Sequence, residues 1–141
     1  MNNNASKPSR AWHIGLWIAQ VLLALIFFMG GSTVLFTPVE KLAPTMSFVN
    51  YYPLAVVKFA GLSEMAGAIG LILPSLLRIK PVLTPLAAAG LLLVMILAVI
   101  YHLTHGEAAG SGFPATLGVV AAFIAWGRYK KAAIAPKGRL A

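Results

Sequence analysis

Cysteine is absent from the 141-residue chain. The chain can therefore form no disulfide, no thiolate-ligated iron–sulfur cluster, no covalently attached c-type haem and no cysteine nucleophile. A Walker A pattern, a GxGxxG after a strand and a serine nucleophile elbow are missing as well. These absences favour a protein that is not a stand-alone enzyme.

Charged residues are scarce too, at 10% of the chain against about 25% in an ordinary soluble domain. Hydrophobic residues make up 60%. A soluble protein of this size needs a larger polar surface than this composition provides, and long apolar runs are typical of membrane-spanning helices. The composition predicts an all-α membrane protein in contact with a lipid bilayer.

Four apolar segments are each long enough to cross a bilayer. The predicted organisation is a polar basic tail at 1–11, a four-helix transmembrane domain at 12–129 and a basic, frayed cytoplasmic tail at 130–141. The spans are predicted at about 12–36, 54–77, 83–102 and 113–129. The fourth reaches full length only with Arg128 and Tyr129, the arginine extending to the lipid headgroups. Short connections favour an antiparallel four-helix bundle.

The net charge of +8 comes from lysine and arginine residues beside the ends of the apolar segments. One side of the predicted topology carries Lys7, Arg10, Arg78, Lys80, Arg128, Lys130, Lys131, Lys137 and Arg139. The other side has only Lys41, with Lys58 just inside the second span. By the positive-inside rule both termini are cytoplasmic. Nucleic acid is not an expected partner, because no basic stripe with interleaved aromatics is present.

One of the three carboxyl groups in the chain lies in the middle of a predicted span. Glu64 is about ten residues into the second span, roughly 15 Å along the helix axis and near the bilayer midplane. An ionisable group at that depth costs about 2.5–3.5 kcal/mol on insertion scales, and such groups usually face protein and carry function. Gly61, Gly67 and Gly70 share its spacing of three, which predicts close packing against protein.

Gln20 of the first span lies at a similar predicted depth and is the expected partner of Glu64. Two interpretations remain open at this point. Glu64 handles protons, or Glu64 and Gln20 simply join two helices, which is an ordinary packing device in membranes.

A second polar group is predicted at the side opposite the basic one. Lys58 lies six residues before Glu64, His102 ends the third span, and His105 and Glu107 follow it. These residues are candidates to line a small polar cavity. His102 and His105 have the spacing of a shared helical face, but no third ligand and no HExxH or ExxH pattern accompanies them. We therefore expect no metal site.

Residues 57–107, "VKFAGLSEMAGAIGLILPSLLRIKPVLTPLAAAGLLLVMILAVIYHLTHGE", resemble the DoxX-like family of small, mostly bacterial four-helix membrane proteins. The matching elements are GLSE…GAIGLILP, the basic turn, LTPLAA and a histidine followed by GE. The resemblance implies a multi-pass protein of the bacterial cytoplasmic (inner) membrane. The resemblance identifies none of its matching positions as catalytic. These positions are Gly61, Glu64, Gly67, Gly70, Pro74, Pro81, Pro85, His102 and Glu107.

Members and distant relatives of that family are connected with quinone-linked sulfur oxidation, redox-protective membrane complexes and receptor assembly. The resemblance therefore implies a small accessory subunit of a membrane redox system, with quinone as the candidate cofactor. The residues themselves predict no iron–sulfur cluster, because cysteine is absent, and no haem, because histidines at i, i+3 on one helix cannot ligate both faces of a porphyrin. The alternative is a non-catalytic partner that assembles or stabilises other membrane proteins. The expected partner is another membrane protein or a second copy of this chain in a homo-oligomer. A transporter is a weaker hypothesis, because four spans would need an oligomer and no inverted repeat is evident.

Overall fold

The computed structural model describes residues 7–138, which form helices and connecting turns without a strand. The first six residues of the predicted tail at 1–11 lie outside this range, as do residues 139–141 and with them Arg139. The helices are α1 (Arg10–Phe36), α2 (Val39–Leu42), α3 (Leu54–Leu77), α4 (Leu83–Thr104) and α5 (Gly112–Trp126). Short 3₁₀ turns cover Ser47–Asn50 and Ala108–Ser111, and a π-helix at Gly127–Lys131 continues α5.

Four of the helical segments are long and apolar enough to cross a membrane: Arg10–Phe36, Leu54–Leu77, Leu83–Thr104 and Ala108–Lys131. The predicted all-α fold with four membrane-spanning helices is therefore confirmed, and the chain is a multi-pass membrane protein. Because a chain in lipid must satisfy its backbone polar groups internally, helices that bond within themselves are the form these apolar runs adopt.

The four long helices pack antiparallel in the order α1, α3, α4, α5, and α5 returns to α1. Gly31 meets Gly61 near the end of α1, and Gln20 meets Leu71 nearer its start, so α1 and α3 run in opposite directions. We call the end that carries Arg10, Arg78 and Lys130 the basic end. We call the end that carries His102 and Glu107 the histidine end.

Side chains that point inward fill the bundle, and those that point outward are equally apolar. The core is built around large buried residues: Leu16, Leu23, Phe27, Leu71, Leu91 and Ile124. Outward-facing Ile18, Leu97 and Val119 remain 56%, 58% and 70% exposed. A helix that is apolar on all sides is typical of a membrane span, so the outer shell is a surface for lipid.

A proline interrupts the hydrogen bonding inside α3. Pro74 has no N–H for the carbonyl one turn earlier, and neighbouring helices commonly bond to backbone freed in this way. Next to the proline, Ser75 Oγ donates to Thr84 Oγ1 of α4 at 2.7 Å, a bond between two buried side chains. Helix α3 is thus bonded to α4 beside the proline, where its own hydrogen bonding is interrupted.

The turn between α3 and α4 is held by the last part of the described chain. Arg78 and Lys80 both have positive φ values, 56° and 44°, a conformation that costs a non-glycine residue roughly 1–2 kcal/mol. Lys137 donates its backbone N–H to the Arg78 carbonyl, and Arg78 Nε donates to the Ala135 carbonyl, both at 2.9 Å. The expectation of a frayed tail is wrong for residues 132–138, since these bonds fasten the segment to the turn.

Candidate functional site

The closest approach between two helices lies beside Glu64. A Cβ added at Gly31 would lie 2.6 Å from the Gly61 carbonyl oxygen, and one added at Gly61 would lie 2.8 Å from the Gly31 oxygen. Only residues without a side chain allow α1 and α3 to pack backbone against backbone in this way. Glu64 follows Gly61 by about one turn, and its Oε2 lies 3.5 Å from the Cβ position of Gly30.

The glycines of α3 contact two different helices. Gly61 faces α1, whereas a Cβ at Gly67 would meet Leu91 and a Cβ at Gly70 would lie 2.7 Å from Ala87, both on α4. Gly67 lies six residues after Gly61, which moves it around the helix by about 120°, and Gly70 lies about 60° further, because three residues turn the helix about 300°. The three glycines thus allow close packing of α3 against both neighbours.

The Glu64 side chain is half-buried at the seam of α1 and α3. Within residues 7–138 its carboxyl group has no hydrogen-bond or ion-pair partner. The predicted pairing with Gln20 is wrong. Gln20 is fully buried and donates Nε2 to the Leu71 carbonyl at 2.6 Å, so it serves the backbone of α3 three residues before Pro74.

Register explains the missed pairing. With Gly31 opposite Gly61 in antiparallel helices, Gln20 comes level with residues near 72 and not with Glu64. Seven residues separate Glu64 from Leu71, which corresponds to roughly 10 Å along the axis. The predicted span ends put Gln20 and Glu64 at the same depth, whereas the observed antiparallel register separates them.

Arg128 forms the centre of a buried network at the basic end. Its guanidinium Nε donates to Gln20 Oε1, and its Nη1 donates to the Ala132 carbonyl at 3.1 Å and contacts His13 Nδ1 at 3.1 Å. The guanidinium carbon lies 5.3 Å from the Trp17 ring centroid, within cation–π range. Among the described residues no carboxylate pairs with Arg128, and its buried Nη2 has no hydrogen-bond partner.

The expectation that Arg128 reaches the lipid headgroups is wrong, since the residue is 3% exposed. The cause is local. Gly127–Lys131 is a π-helix, and Gly127 packs its backbone against Leu16 of α1 with no room for a Cβ. This wider turn leaves Tyr129 and Lys130 outside while Arg128 points into the bundle.

Lys58 bonds to the end of α1. Its Nζ donates to the Val34 carbonyl at 2.9 Å and to the Thr37 carbonyl at 2.8 Å. The last carbonyls of a helix lack internal partners and carry partial negative charge, so an ammonium group there is favourable. Lys58 therefore caps α1 from α3 and does not join the histidines.

A hydrogen-bonded group that we call the histidine cluster comprises Ser47, Tyr101, His102 and Glu107. Ser47 Oγ donates to Glu107 Oε2 at 2.9 Å and lies 3.0 Å from the Tyr101 hydroxyl. His102 Nδ1 lies 2.9 Å from the same carboxylate oxygen. Gly110 permits this arrangement, since a Cβ there would lie 2.8 Å from the His102 ring. The loop after α4 can therefore close over the histidine.

The carboxylate of Glu107 is stabilised in its ionised form. The hydrogen bond from Ser47, and next the contacts with His102, lower the pKa of Glu107 below its ordinary value of 4.5, while desolvation opposes them. An ionised carboxylate only accepts hydrogen bonds, so His102 donates through Nδ1 and neutral His102 leaves the Nε2 lone pair free. His102 and Glu107 side chains are 27% and 35% exposed, so water reaches both.

His105 lies beside the cluster without bonding to its carboxylate. Its Nδ1 is 2.9 Å from the Tyr101 carbonyl, its ring stacks on the Tyr101 ring with centroids 4.2 Å apart, and the Tyr51 ring lies 4.6 Å away. Within residues 7–138 no group of three histidine or acidic side chains is arranged to hold a metal ion. His102 and His105 thus act as separate hydrogen-bonding groups at one end of the bundle.

The sequence does not identify four members of these two networks as site residues: His13, Ser47, Tyr101 and Arg128. Tyr101 precedes a candidate histidine, and Arg128 is the first cation after the apolar run of the fourth span, so each of the two positions has a recognisable sequence context. Ser47 has none, because it belongs to the loop after α2, which folds back over α4 only in the assembled bundle.

Comparison with known proteins gives one result. The model of a family described as the DoxX-like family matches residues 18–124. Curated proteins and solved structures yield no match. The matched range contains Gln20, Glu64 and the histidine cluster, and it ends before Arg128.

Proposed function

Since the chain belongs to the DoxX-like family and is a multi-pass membrane protein, we propose that it is a small accessory subunit of a membrane redox system linked to quinone chemistry. The electrons would come from a redox centre in a partner subunit. The cysteine-free sequence supplies no thiol centre of its own.

The proposal places the chain in the bacterial inner membrane with its basic end toward the cytoplasm. Arg10, Lys80 and Lys130 are exposed at the basic end, and the histidine end has only Lys41 as an exposed lysine. The positive-inside rule supports this orientation. The histidine cluster then lies at the outer face.

The histidine cluster is the observation that carries the redox role. A quinone accepts hydrogen bonds at its carbonyl oxygens and takes up protons there as electrons arrive. Tyr101, His102 and Glu107 are groups that bind or exchange protons. Ser47 links Tyr101 to Glu107, and Glu107 contacts His102 directly, all at 2.9–3.0 Å at the edge of the apolar helices. A quinone ring in the lipid would contact, at this edge, side chains that are also exposed to water.

The test is purification of the full chain with its native lipids, followed by assay of extracted quinone. We expect quinone to co-purify, and we expect Glu107→Gln and His102→Gln to reduce the bound amount while folded protein is retained. Glu40→Gln is the matched control, because Glu40 is an exposed acid in α2 with no part in the cluster. A quinone-free extract, or an equal loss in the Glu40 variant, would refute the redox role.

A second function, assembly of a membrane complex, is favoured by Glu64. A half-buried carboxyl group at mid-depth is costly in lipid and is usually paired. The described chain supplies no partner to Glu64, so a donor from another protein would satisfy it.

Two substitutions at Glu64 separate these functions. If the residue handles protons, Glu64→Gln abolishes redox function with folded protein unchanged, since the amide does not titrate. If it binds a partner helix, Glu64→Gln retains the complex through its amide and Glu64→Leu loses it. Wild-type behaviour of Glu64→Leu in both assays would contradict both roles.

A further inference from the structure

A groove runs between α4 and α5 at the basic end. Its volume is about 330 Å³. The α4 side is formed by Val82, Leu86 and Ala89, and the α5 side by Ala125, Trp126 and Tyr129. All six belong to segments in or beside membrane-spanning helices, so the groove opens toward lipid.

Lysines stand at the rim of this groove. Lys80 comes two residues before Val82, in the turn that begins α4. Lys130 Nζ lies 5.0 Å from the Tyr129 ring centroid, and Lys131 Nζ lies 5.3 Å from the Trp126 ring centroid. The same aromatic rings that line the groove therefore hold two ammonium groups beside it.

No acidic side chain lies at this end among residues 7–138. The three acids are Glu40 in α2, Glu64 in the middle of α3 and Glu107 after α4. The buried guanidinium of Arg128 adds positive charge that no carboxylate offsets. An occupant with an apolar body and an anionic end would complement this surface, and an anionic surface attracts such lysines by about 1 kcal/mol each.

We propose that this groove is a binding site for an anionic phospholipid. An acyl chain lies against Leu86, Ala89 and Trp126, and the phosphate lies between Lys80 and Lys130. Free phosphate lacks the apolar part that the groove would cover, and a zwitterionic lipid brings a cation to a surface that already has an excess of them. The inference does not depend on the redox role.

The test uses the full chain in phosphatidylcholine vesicles that contain phosphatidylglycerol with brominated acyl chains. Bromine quenches tryptophan fluorescence on contact, and Trp126→Phe identifies the contribution of the groove tryptophan. We expect brominated phosphatidylglycerol to quench Trp126 at a lower mole fraction than brominated phosphatidylcholine does. Lys80→Gln and Lys130→Gln should each reduce this preference about fivefold, the equivalent of about 1 kcal/mol.

Two further variants define the site. Lys41→Gln removes an exposed lysine at the histidine end and should leave the preference unchanged. Ala89→Phe fills the groove without altering charge and should remove the preference, which distinguishes a groove from general attraction to a basic surface.

Four results would overturn the proposal. The first is equal quenching by the two brominated lipids, and the second is an equal effect of Lys41→Gln and Lys80→Gln. The third is displacement of the brominated lipid by inorganic phosphate, which would assign the site to a free anion. The fourth is Trp126 that neither lipid quenches because a second copy of the chain covers it, as cross-linking would detect.

Discussion

At the basic end a buried arginine bonds to an amide, a histidine and a backbone carbonyl, whereas at the histidine end a carboxylate bonds to a histidine and a serine within reach of water. Arg128 is 3% exposed, while the Glu107 side chain is 35% exposed. A guanidinium stays protonated under ordinary conditions, whereas carboxylate and imidazole side chains are common general acid and base groups. The first network therefore suits a structural joint, and the second suits exchange of protons with the surroundings.

The strongest way to break this comparison is Gln20→Leu. The change removes the acceptor of Arg128 Nε and the donor to the Leu71 carbonyl, both in a fully buried position. Leaving a buried charge with fewer partners costs about 3–5 kcal/mol, so we expect the free energy of unfolding in mixed micelles to fall by that amount. The double variant Gln20→Leu with Arg128→Leu should recover part of the loss. If the two substitutions simply add, the network is not coupled.

Substitutions at two glycines test how much the close contact between α1 and α3 contributes to stability. Gly31→Ala places a methyl group 2.6 Å from the Gly61 carbonyl oxygen, where only backbone can give way. Overpacking of this kind costs about 1–3 kcal/mol of unfolding free energy. The control is Gly90→Ala, whose added Cβ meets nothing within 4 Å and should stabilise α4 by up to about 1 kcal/mol. Equal stability of the two variants would rule out the close α1–α3 contact.

Tyr101→Phe measures the histidine cluster itself. The variant removes one hydroxyl that lies 3.0 Å from Ser47 Oγ and keeps the buried ring. We expect a loss of about 1 kcal/mol in unfolding free energy, the usual net value of one hydrogen bond. Tyr52→Phe, at an exposed ring, should change it much less. A larger loss than that of Gln20→Leu would reverse the ranking of the two ends.

The smallest expected effect is the pH dependence of stability. Because the pKa of Glu107 is lower in the folded protein than its ordinary 4.5, the unfolded chain binds the proton more readily. The stabilisation of the folded state by the ionised Glu107 carboxylate is complete above pH 4.5. It disappears as the pH falls through the folded-state pKa. We expect Glu107→Gln to flatten this part of the curve in thermal unfolding measured against pH. A curve of unchanged shape would show that the Ser47 and His102 contacts do not stabilise the carboxylate.

The sequence predicts the four spans because their apolar runs exceed the thickness of the bilayer, and that criterion needs no tertiary contact. It does not predict which side chains meet. Gln20 and Glu64 share a depth only if span ends are aligned, and the observed register follows from the contact between Gly31 and Gly61. The inward turn of Arg128 depends on the π-helix, for which the local sequence gives no signal.

The bonds between residues 132–138 and the α3–α4 turn have a practical consequence. Ala132 is completely buried, and the Arg78 turn bonds to Ala135 and Lys137, so this segment is part of the folded unit. A fluorescent reporter or affinity handle fused shortly after Lys131 would separate this segment from the turn that contains Arg78 and Lys80. Such a fusion is better attached ahead of Ser9, where the neighbouring described residues are exposed and the first helix has yet to begin.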